Sequence, residues 1–199
     1  DIYGMTIRDP LALGSTVNRR LNDDAGGAIQ VNPDLAASPS GTFFCVWEDS
    51  RAGNPDIFGV ALDTLGLRAI PNLRVNDDAG FADQRNPRVC SVGFARYLVV
   101  WGDQRSGQSD IFASYRNAYG APIGYNLPVS ADTVTGGSYQ GEPAAASNAS
   151  GLTLVVWLDG REGGNVFGTT FDVYGQWMDS DGNLIGGNFK VNDAVNDTT

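Results

Sequence analysis

Residues 45–61 read CVWEDSRAGNPDIFGVA, and residues 99–115 read VVWGDQRSGQSDIFASY. In both stretches an apolar run ends near a tryptophan, a polar turn with Asp and Arg follows, and a second apolar run begins at Asp. In the second run, DIFGVALD at 56–63, the side chains of both alternating sets are apolar or small. A strand with one face in solvent would alternate apolar and polar residues, so this strand is predicted to be covered on both faces.

The same pattern recurs along the whole chain. Trp47, Trp101 and Trp157 are 54 and 56 residues apart. Asp-aromatic segments begin at 1, 56, 110 and 172, Gln-x-Asn/Glu-Pro segments begin at 30, 84 and 140, and acidic or related polar segments begin at 21, 75, 129 and 191. These four segments recur in the same order at intervals of 54 and 56 residues between tryptophans, which indicates a repeat protein.

Each repeat contains four short predicted strands, a to d, separated by glycine-bearing turns, and no segment has a sustained helical period. Four-stranded antiparallel units covered by copies of themselves predict an all-β fold, a β-propeller. The predicted units are a half blade at 1–29 with strands c and d only, and blades at 30–83, 84–139 and 140–199. This gives about three and a half blades, expected to be part of a six- to eight-bladed ring that a longer chain or another molecule completes.

The Trp-x-Asp-x-Arg turn is interpreted as a structural brace, because a brace is needed in every blade and an active site only once. Residues at i, i+2 and i+4 of a strand share a face, and the arginine is expected to bridge the aspartates on either side of the hairpin turn and to stack on the tryptophan. The predicted clamp residues are Trp47, Asp49, Arg51, Asp56, Trp101, Asp103, Arg105, Asp110, Trp157, Asp159, Arg161 and Asp172.

Composition excludes several functions. The formal net charge is −10, which disfavours nucleic-acid binding, and no apolar run reaches the length of a membrane span. The chain has no histidine, the usual general base and the commonest zinc ligand. Cys45 and Cys90 are interpreted as buried thiols, with a bridge between units as the alternative. No cofactor is predicted. Calcium binding stays open, with candidate ligands Asp23, Asp24, Asp77, Asp78, Asp179 and Asp181.

The repeats resemble the tandem W-x-D-x-R-x-G-x-x-D-I-Y repeats of large secreted bacterial proteins, which continue into a D-x-x-G turn and an N-F-K-V-N-D strand. The match is strongest at VYGQWMDSDGNLIGGNFKVND, residues 173–193. The resemblance implies an exported, extracellular or cell-surface propeller. It transfers no catalytic residue, because the family has no established common activity.

Departures from the repeat are the predicted interaction loops, carrying Val166, Phe167, Phe171 and Tyr139. The prediction is therefore a non-enzymatic extracellular module for scaffolding or for binding a protein or glycan. One alternative is a self-assembling filament or oligomer subunit completed by strand addition. The other is a propeller glycosidase or lyase, for which Tyr115, Arg116, Tyr139 and Glu142 are candidates although no spacing singles out a carboxylate pair.

Overall fold

The fold is built entirely from short antiparallel strands in the part of the chain that the computed structural model describes, residues 1–6, 18–130, 138–162 and 171–192. The strands are β1 (Tyr3–Gly4), β2 (Arg19–Arg20), β3 (Gln30–Ala37), β4 (Phe43–Asp49), β5 (Asp56–Leu62), β6 (Leu73–Arg74), β7 (Gln84–Val92), β8 (Arg96–Asp103), β9 (Asp110–Asn117), β10 (Pro122–Pro128), β11 (Gln140–Ser147), β12 (Thr153–Asp159), β13 (Asp172–Met178) and β14 (Leu184–Lys190).

Three four-stranded sheets follow one another along the chain, each with its strands in sequence order: β3 to β6, β7 to β10 and β11 to β14. We call them blades 1, 2 and 3. A two-stranded sheet of β1 and β2 precedes them and is called the half blade. Every pairing is antiparallel, as expected when consecutive strands are joined by short turns.

The apolar cores lie between the blades. One core joins the half blade to blade 1, a second joins blade 1 to blade 2, and a third joins blade 2 to blade 3. Strand β5 is buried at every position, which confirms that this strand is covered on both faces. The tryptophans at 47, 101 and 157 are at most 1% exposed and lie one in each core.

The first strands of neighbouring blades lie side by side, β3 against β7 and β7 against β11. These strands therefore form the inner wall around the axis, and strands β6, β10 and β14 form the outer edges of their sheets. Sheets stacked in this way around an axis are a partial β-propeller, which confirms the predicted fold class. The number of blades in a closed ring stays a prediction.

Two further features bear on the predictions. Cys45 and Cys90 are free thiols, because they belong to different cores, so the alternative of a bridge between them is wrong. In the described ranges, no helix has the length and apolar character to span a bilayer.

Candidate functional site at the inner ends of the blades

The recurring motifs meet at one end of the propeller. In blade 1, Gln30 pairs with Asp49 and Asp49 pairs with Asp56, so the start of strand a, the end of strand b and the start of strand c are level. Blades 2 and 3 repeat this register. The polar loop that precedes each strand a and the hairpin turn after each tryptophan therefore lie at the same end.

At this end, each tryptophan is fixed by the aspartate two residues later. Trp47 Nε1 donates to Asp49 Oδ2 over 2.9 Å, and the equivalent distances in blades 2 and 3 are both 2.8 Å. The arginine of the motif donates to the same carboxylate, over 2.7 Å from Arg51 Nη2 to Asp49 Oδ2. Asp49 is fully buried, so these bonds satisfy a carboxylate that has no access to water.

The second partner of the arginine differs from the prediction. Arg51 Nη1 donates to Asp23 Oδ1 over 2.7 Å, and Arg105 Nη1 donates to Asp77 Oδ1 over 2.8 Å. Each of these aspartates belongs to the loop that ends the preceding unit, so the arginine joins two units. The predicted bridge across one hairpin turn, from Asp49 to Asp56, is wrong, because the Arg51 guanidinium points toward Asp23 of the preceding unit. We call this arrangement the interblade arginine contact.

The aromatic partner also differs from the prediction. The Arg51 guanidinium lies 4.3 Å from the ring centroid of Phe58, directly across the sheet from Trp47, and Arg105 and Arg161 repeat this over Phe112 and Tyr174 at 4.4 and 4.2 Å. The arginines therefore stack on the aromatic residue of strand c. The strand-c aspartates have other partners: Asp56 accepts from Asn76, Asp172 accepts from Asn192 and Lys190, and Asp110 accepts from Ser106.

The interblade contact changes the ionisation of its carboxyls. Burial alone raises the pKa of Asp49, but hydrogen bonds from Arg51 and Trp47 outweigh it and leave that pKa below the ordinary value. At Asp23 and Asp77, burial likewise acts upward, and the arginine and backbone donors hold each pKa below its ordinary value. These carboxyls are therefore charged partners in the folded state.

Five of the six carboxylates proposed as calcium ligands accept hydrogen bonds from donors of the protein itself. Asp24 accepts from Gly26 and Gln30, and Asp78 accepts from the equivalent Gly80 and Gln84. Asp179 accepts three bonds from Asp181 and Asn183, the pattern of an Asx turn. Within the described ranges, no group of three or more potential metal ligands occurs.

The predicted interaction loops are only partly described. Val166 and Phe167 lie outside the described residues. Phe171 packs edge-on against Tyr139, with ring centroids 5.6 Å apart. Tyr115 and Arg116 are buried at the far end of β9, so the structure does not bring them together with Tyr139 and Glu142.

A cluster that the sequence did not single out lies on the inner wall. Each strand a has a bulge two residues after its glutamine, where the register shifts against strand b. Asn32, Asn86 and Glu142 occupy the bulges with φ of 52°, 54° and 51°, which is the left-handed region. This conformation is costly for any side chain other than glycine and least costly for asparagine, and such strain concentrates at functional sites.

The three bulge residues are linked in a row. Asn32 Nδ2 lies 3.4 Å from Asn86 Oδ1, and Asn86 Nδ2 donates to Glu142 Oε1 over 2.7 Å. One residue from each blade is thus brought to the same place at the axis. We call Asn32, Asn86, Glu142 and the neighbouring Glu48 the axial cluster.

Glu48 is a buried carboxylate at the base of this row. Its side chain is on β4 and the residue is 3% exposed. Glu48 Oε1 accepts from Asn32 Nδ2 and from the backbone N–H of Asn86, both over 2.7 Å, and Oε2 lies 3.7 Å from Arg85 Nη1. Two short bonds and an ion pair hold the charge in place, which a buried carboxylate requires.

Glu142 is the carboxylate of the cluster that faces solvent, and a tyrosine lies near it. Burial, with a further contribution from the charge of Glu142, raises the pKa of Tyr139. Gly141 makes this approach possible, because a Cβ at position 141 would collide with the Tyr139 hydroxyl. The cluster therefore places one buried and one exposed carboxylate on either side of a single asparagine, with a neutral phenol beside the exposed one.

Sequence comparison of the blades contains a signal for both carboxylates. Glu48 stands where blades 2 and 3 have Gly102 and Leu158, and Glu142 stands where blades 1 and 2 have asparagine. Glu142 therefore departs from a residue that the other two blades share, and Glu48 lies at a position where all three blades differ. Their convergence could not be read from the sequence, because it depends on how closely the first strands approach the axis.

Comparison with known structures supports the fold. No family model matches the chain, and no curated protein matches it. Among solved structures, an alpha-L-arabinofuranosidase from Fusarium graminearum, a mutant in complex with an iminosugar inhibitor, is similar with a TM-score of 0.59 at 15% identity over 80% of this chain. A second structure of that enzyme in complex with an iminosugar inhibitor has a TM-score of 0.55 at 14% identity, again over 80% of this chain.

In both cases this chain spans about half of the matched structure, 50% of its length. An alpha-L-arabinofuranosidase from Lactobacillus brevis also aligns, with a TM-score of 0.49 at 10% identity over 82% of this chain and 53% of the other. The finding corrects the functional prediction. The expected non-enzymatic module is contradicted, because the similar folds are glycosidases, and the glycosidase alternative is the better supported one.

Proposed function

We propose that this chain is part of a β-propeller glycosidase whose active centre lies at the axial cluster. The observation that carries the proposal is the pairing of Glu48 and Glu142 through Asn86 at the inner ends of the blades. Glycoside hydrolysis by the common mechanisms uses carboxyl groups at the scissile bond, and Glu142 is the solvent-facing carboxylate of this cluster. The similarity in fold to alpha-L-arabinofuranosidases supports the same reading.

The proposed roles follow from exposure. Glu142 is exposed and is assigned the contact with the glycosidic oxygen or the sugar carbon. Glu48 is buried, so it is assigned a positioning role: it accepts from the backbone N–H of Asn86, and the Asn86 side chain donates to Glu142. The substrate is a glycan whose terminal sugar enters along the axis, with an arabinofuranoside as the first choice.

Export is a further part of the proposal. It rests on the resemblance of the repeats to those of secreted bacterial proteins. A glycan outside the cell is the corresponding partner.

The test is hydrolysis of 4-nitrophenyl α-L-arabinofuranoside and of a panel of other aryl glycosides by the complete propeller that contains this chain. We expect release of nitrophenol, and we expect Glu142→Gln to lower kcat by about 10²–10⁴-fold, the usual loss when a general acid or base is removed. The proposal would be overturned if none of the glycosides in the panel were cleaved.

The matched control is Asp63→Asn. Asp63 lies in the turn between strands c and d and accepts bonds from Leu65 and Leu67, and blade 2 has Asn117 with the same two bonds at the same position. This variant removes a carboxylate and preserves the turn, so its activity should equal that of the parent. Equal losses in both variants would show that Glu142 has no special role.

A further inference from the structure

Blade 2 contains a buried arginine that has no carboxylate partner among the described residues. Arg116, at the end of β9, is 3% exposed. Its two terminal nitrogens donate to the carbonyl oxygens of Val75 and Gly120, the latter over 3.4 Å, and its Nε has no acceptor. Burial lowers its pKa to about 10, so the guanidinium remains charged at neutral pH.

The acid whose charge acts on Arg116 is engaged elsewhere. Asp77 contributes electrostatically to Arg116, but its Oδ1 accepts from Arg105 over 2.8 Å and forms an ion pair with it. Arg116 therefore places a positive charge in the interface between blades 1 and 2 that no carboxylate of the described chain neutralises. Such a charge is costly unless another group compensates it.

A second unsatisfied donor lies on the same face of the same strand. Ser114 precedes Arg116 by two residues, so the two side chains share one face of β9. That face points to blade 1, since Phe112 on the same face packs into the core between blades 1 and 2. Ser114 is 1% exposed, and its hydroxyl has no hydrogen-bond partner.

The other blades show that this pair is particular to blade 2. Blade 1 has Val60 and Leu62 at the equivalent positions, both buried and apolar. Blade 3 has Gln176, whose amide accepts from Asn188 over 2.7 Å and donates to Trp177, and the apolar Met178. Only in blade 2 of these three do both positions carry donors that lack acceptors.

We propose that Ser114 and Arg116 bind a small monovalent anion of the size of chloride between blades 1 and 2. Both groups offer N–H or O–H donors at the same face, which suits an anion, and the positive charge supplies the electrostatic attraction. Arg116 supplies a single positive charge, so one negative charge balances it and a monovalent anion is favoured over a divalent oxyanion. The proposal is independent of glycosidase activity.

The test is thermal unfolding in sodium chloride and in sodium gluconate at equal ionic strength. An anion that binds only the folded protein stabilises it by mass action, and for a chain of this length we expect Tm to be about 5–11 °C higher in chloride when chloride is at about 100 times its dissociation constant. An equal Tm in the two salts would overturn the proposal.

Two variants locate the effect. Arg116→Met introduces the residue of blade 3 at this position and should abolish the chloride dependence, and Ser114→Ala should weaken it. Arg88→Met is the matched control, because Arg88 is a half-buried arginine of the same blade that donates to the Pro87 carbonyl over 2.8 Å, and its chloride dependence should equal that of the parent. A chloride effect that survives in Arg116→Met would contradict the site.

Bromide soaked into crystals of the parent chain gives a readout that needs no variant. Its anomalous scattering should produce a peak within hydrogen-bonding distance of Arg116 Nε and Ser114 Oγ. Crystals without that peak would overturn the proposal even where Arg116→Met does not fold.

Discussion

At the scale of single residues, the arginine of the repeat does three things at once. Arg51 binds the buried Asp49, reaches Asp23 of the preceding unit and stacks on the ring of Phe58. Only a planar guanidinium can offer donors in two directions while its face lies on an aromatic ring. This requirement explains why every described turn of this type has arginine and none has lysine.

Replacing Arg51 by alanine should lower the free energy of unfolding by about 3–5 kcal/mol, because the buried Asp49 loses its ion-pair partner. Arg51→Lys should lie between alanine and the parent, since the charge remains and the stacking is lost. Urea unfolding gives these values. The control is Arg20→Ala, whose 3.6 Å ion pair with Asp1 is largely exposed and should contribute below about 1 kcal/mol. Losses of equal size at both positions would contradict the role of the interblade contact.

The two thiols provide a second prediction at this scale. Burial raises the pKa of Cys45 to about 12 and that of Cys90 to about 12. At pH 8 only about one thiol in ten thousand is then ionised, and the thiolate is the reactive form. Iodoacetamide should therefore leave both residues unmodified in the folded protein and modify both in urea, as measured by intact mass. Rapid modification of either thiol under native conditions would show that its core opens.

At the scale of elements, the bulge of each strand a is a site of stored backbone strain. The bulge turns one residue per blade toward the axis, and blades 1 and 2 use asparagine, which tolerates a positive φ. Blade 3 uses Glu142, for which the same conformation costs more. A costly residue at a position where the repeat offers a better one indicates a role other than stability.

Glu142→Asn should accordingly raise the free energy of unfolding by about 0.5–1 kcal/mol, since asparagine pays less for the left-handed conformation. Glu142→Gln removes the charge but keeps the backbone preference, so its stability should match that of the parent. Calorimetry of the three proteins measures the difference. Equal stability of the Asn and Gln variants would mean that no strain is stored at this bulge.

The sequence was sufficient to predict the strands and their stacking, but it was not sufficient to predict the side-chain contacts between units. The period of the landmarks and the two apolar faces of DIFGVALD led to the correct strands and stacking, because both depend on local pattern. The outer strands are less regular than their sequences suggest: β6 has two residues, while β10 and β14 have seven. Three features depend on contacts between units: the partners of Arg51, the row of bulge residues and the burial of Glu48. Spacing along the chain does not predict the distances between residues of different units.

At the scale of the whole molecule, stability is a sum of contacts between neighbours. Each apolar core joins two successive units, and each interblade arginine contact joins the same two units at one end. Cohesion therefore depends on both the burial of apolar surface and the ionisation of a few aspartates. Because the aspartates must be ionised, protonating them at low pH is expected to lower the free energy of unfolding of the whole fold.

We expect stability to be nearly constant between roughly pH 5 and 8, since the chain has no histidine to titrate there. Asp23, Asp49 and Asp77 have folded-state pKa values below their ordinary values. Such carboxyls contribute stability above their unfolded pKa and lose it as the pH falls through the folded pKa, so unfolding should become easier below about pH 4.

Urea midpoints at a series of pH values measure this dependence. The Arg51→Ala protein should lose less stability on acidification than the parent, because Arg51 lowers the pKa of both Asp23 and Asp49. A parent whose midpoint is the same at pH 3 and pH 7 would contradict the prediction.

The interblade arginine contact also bears on how such chains grow. Blade 1 contains Arg51, which binds Asp23 of the preceding unit. In its last loop it also contains Asp77, which is bound by Arg105 of the following unit. A tandem duplication of one unit therefore delivers both halves of the new junction in a single genetic event, with no compensating change elsewhere. A chain of this kind can therefore lengthen by duplication without a second mutation. The copies can then differ at the bulge, where blade 3 has Glu142 and blades 1 and 2 have asparagine.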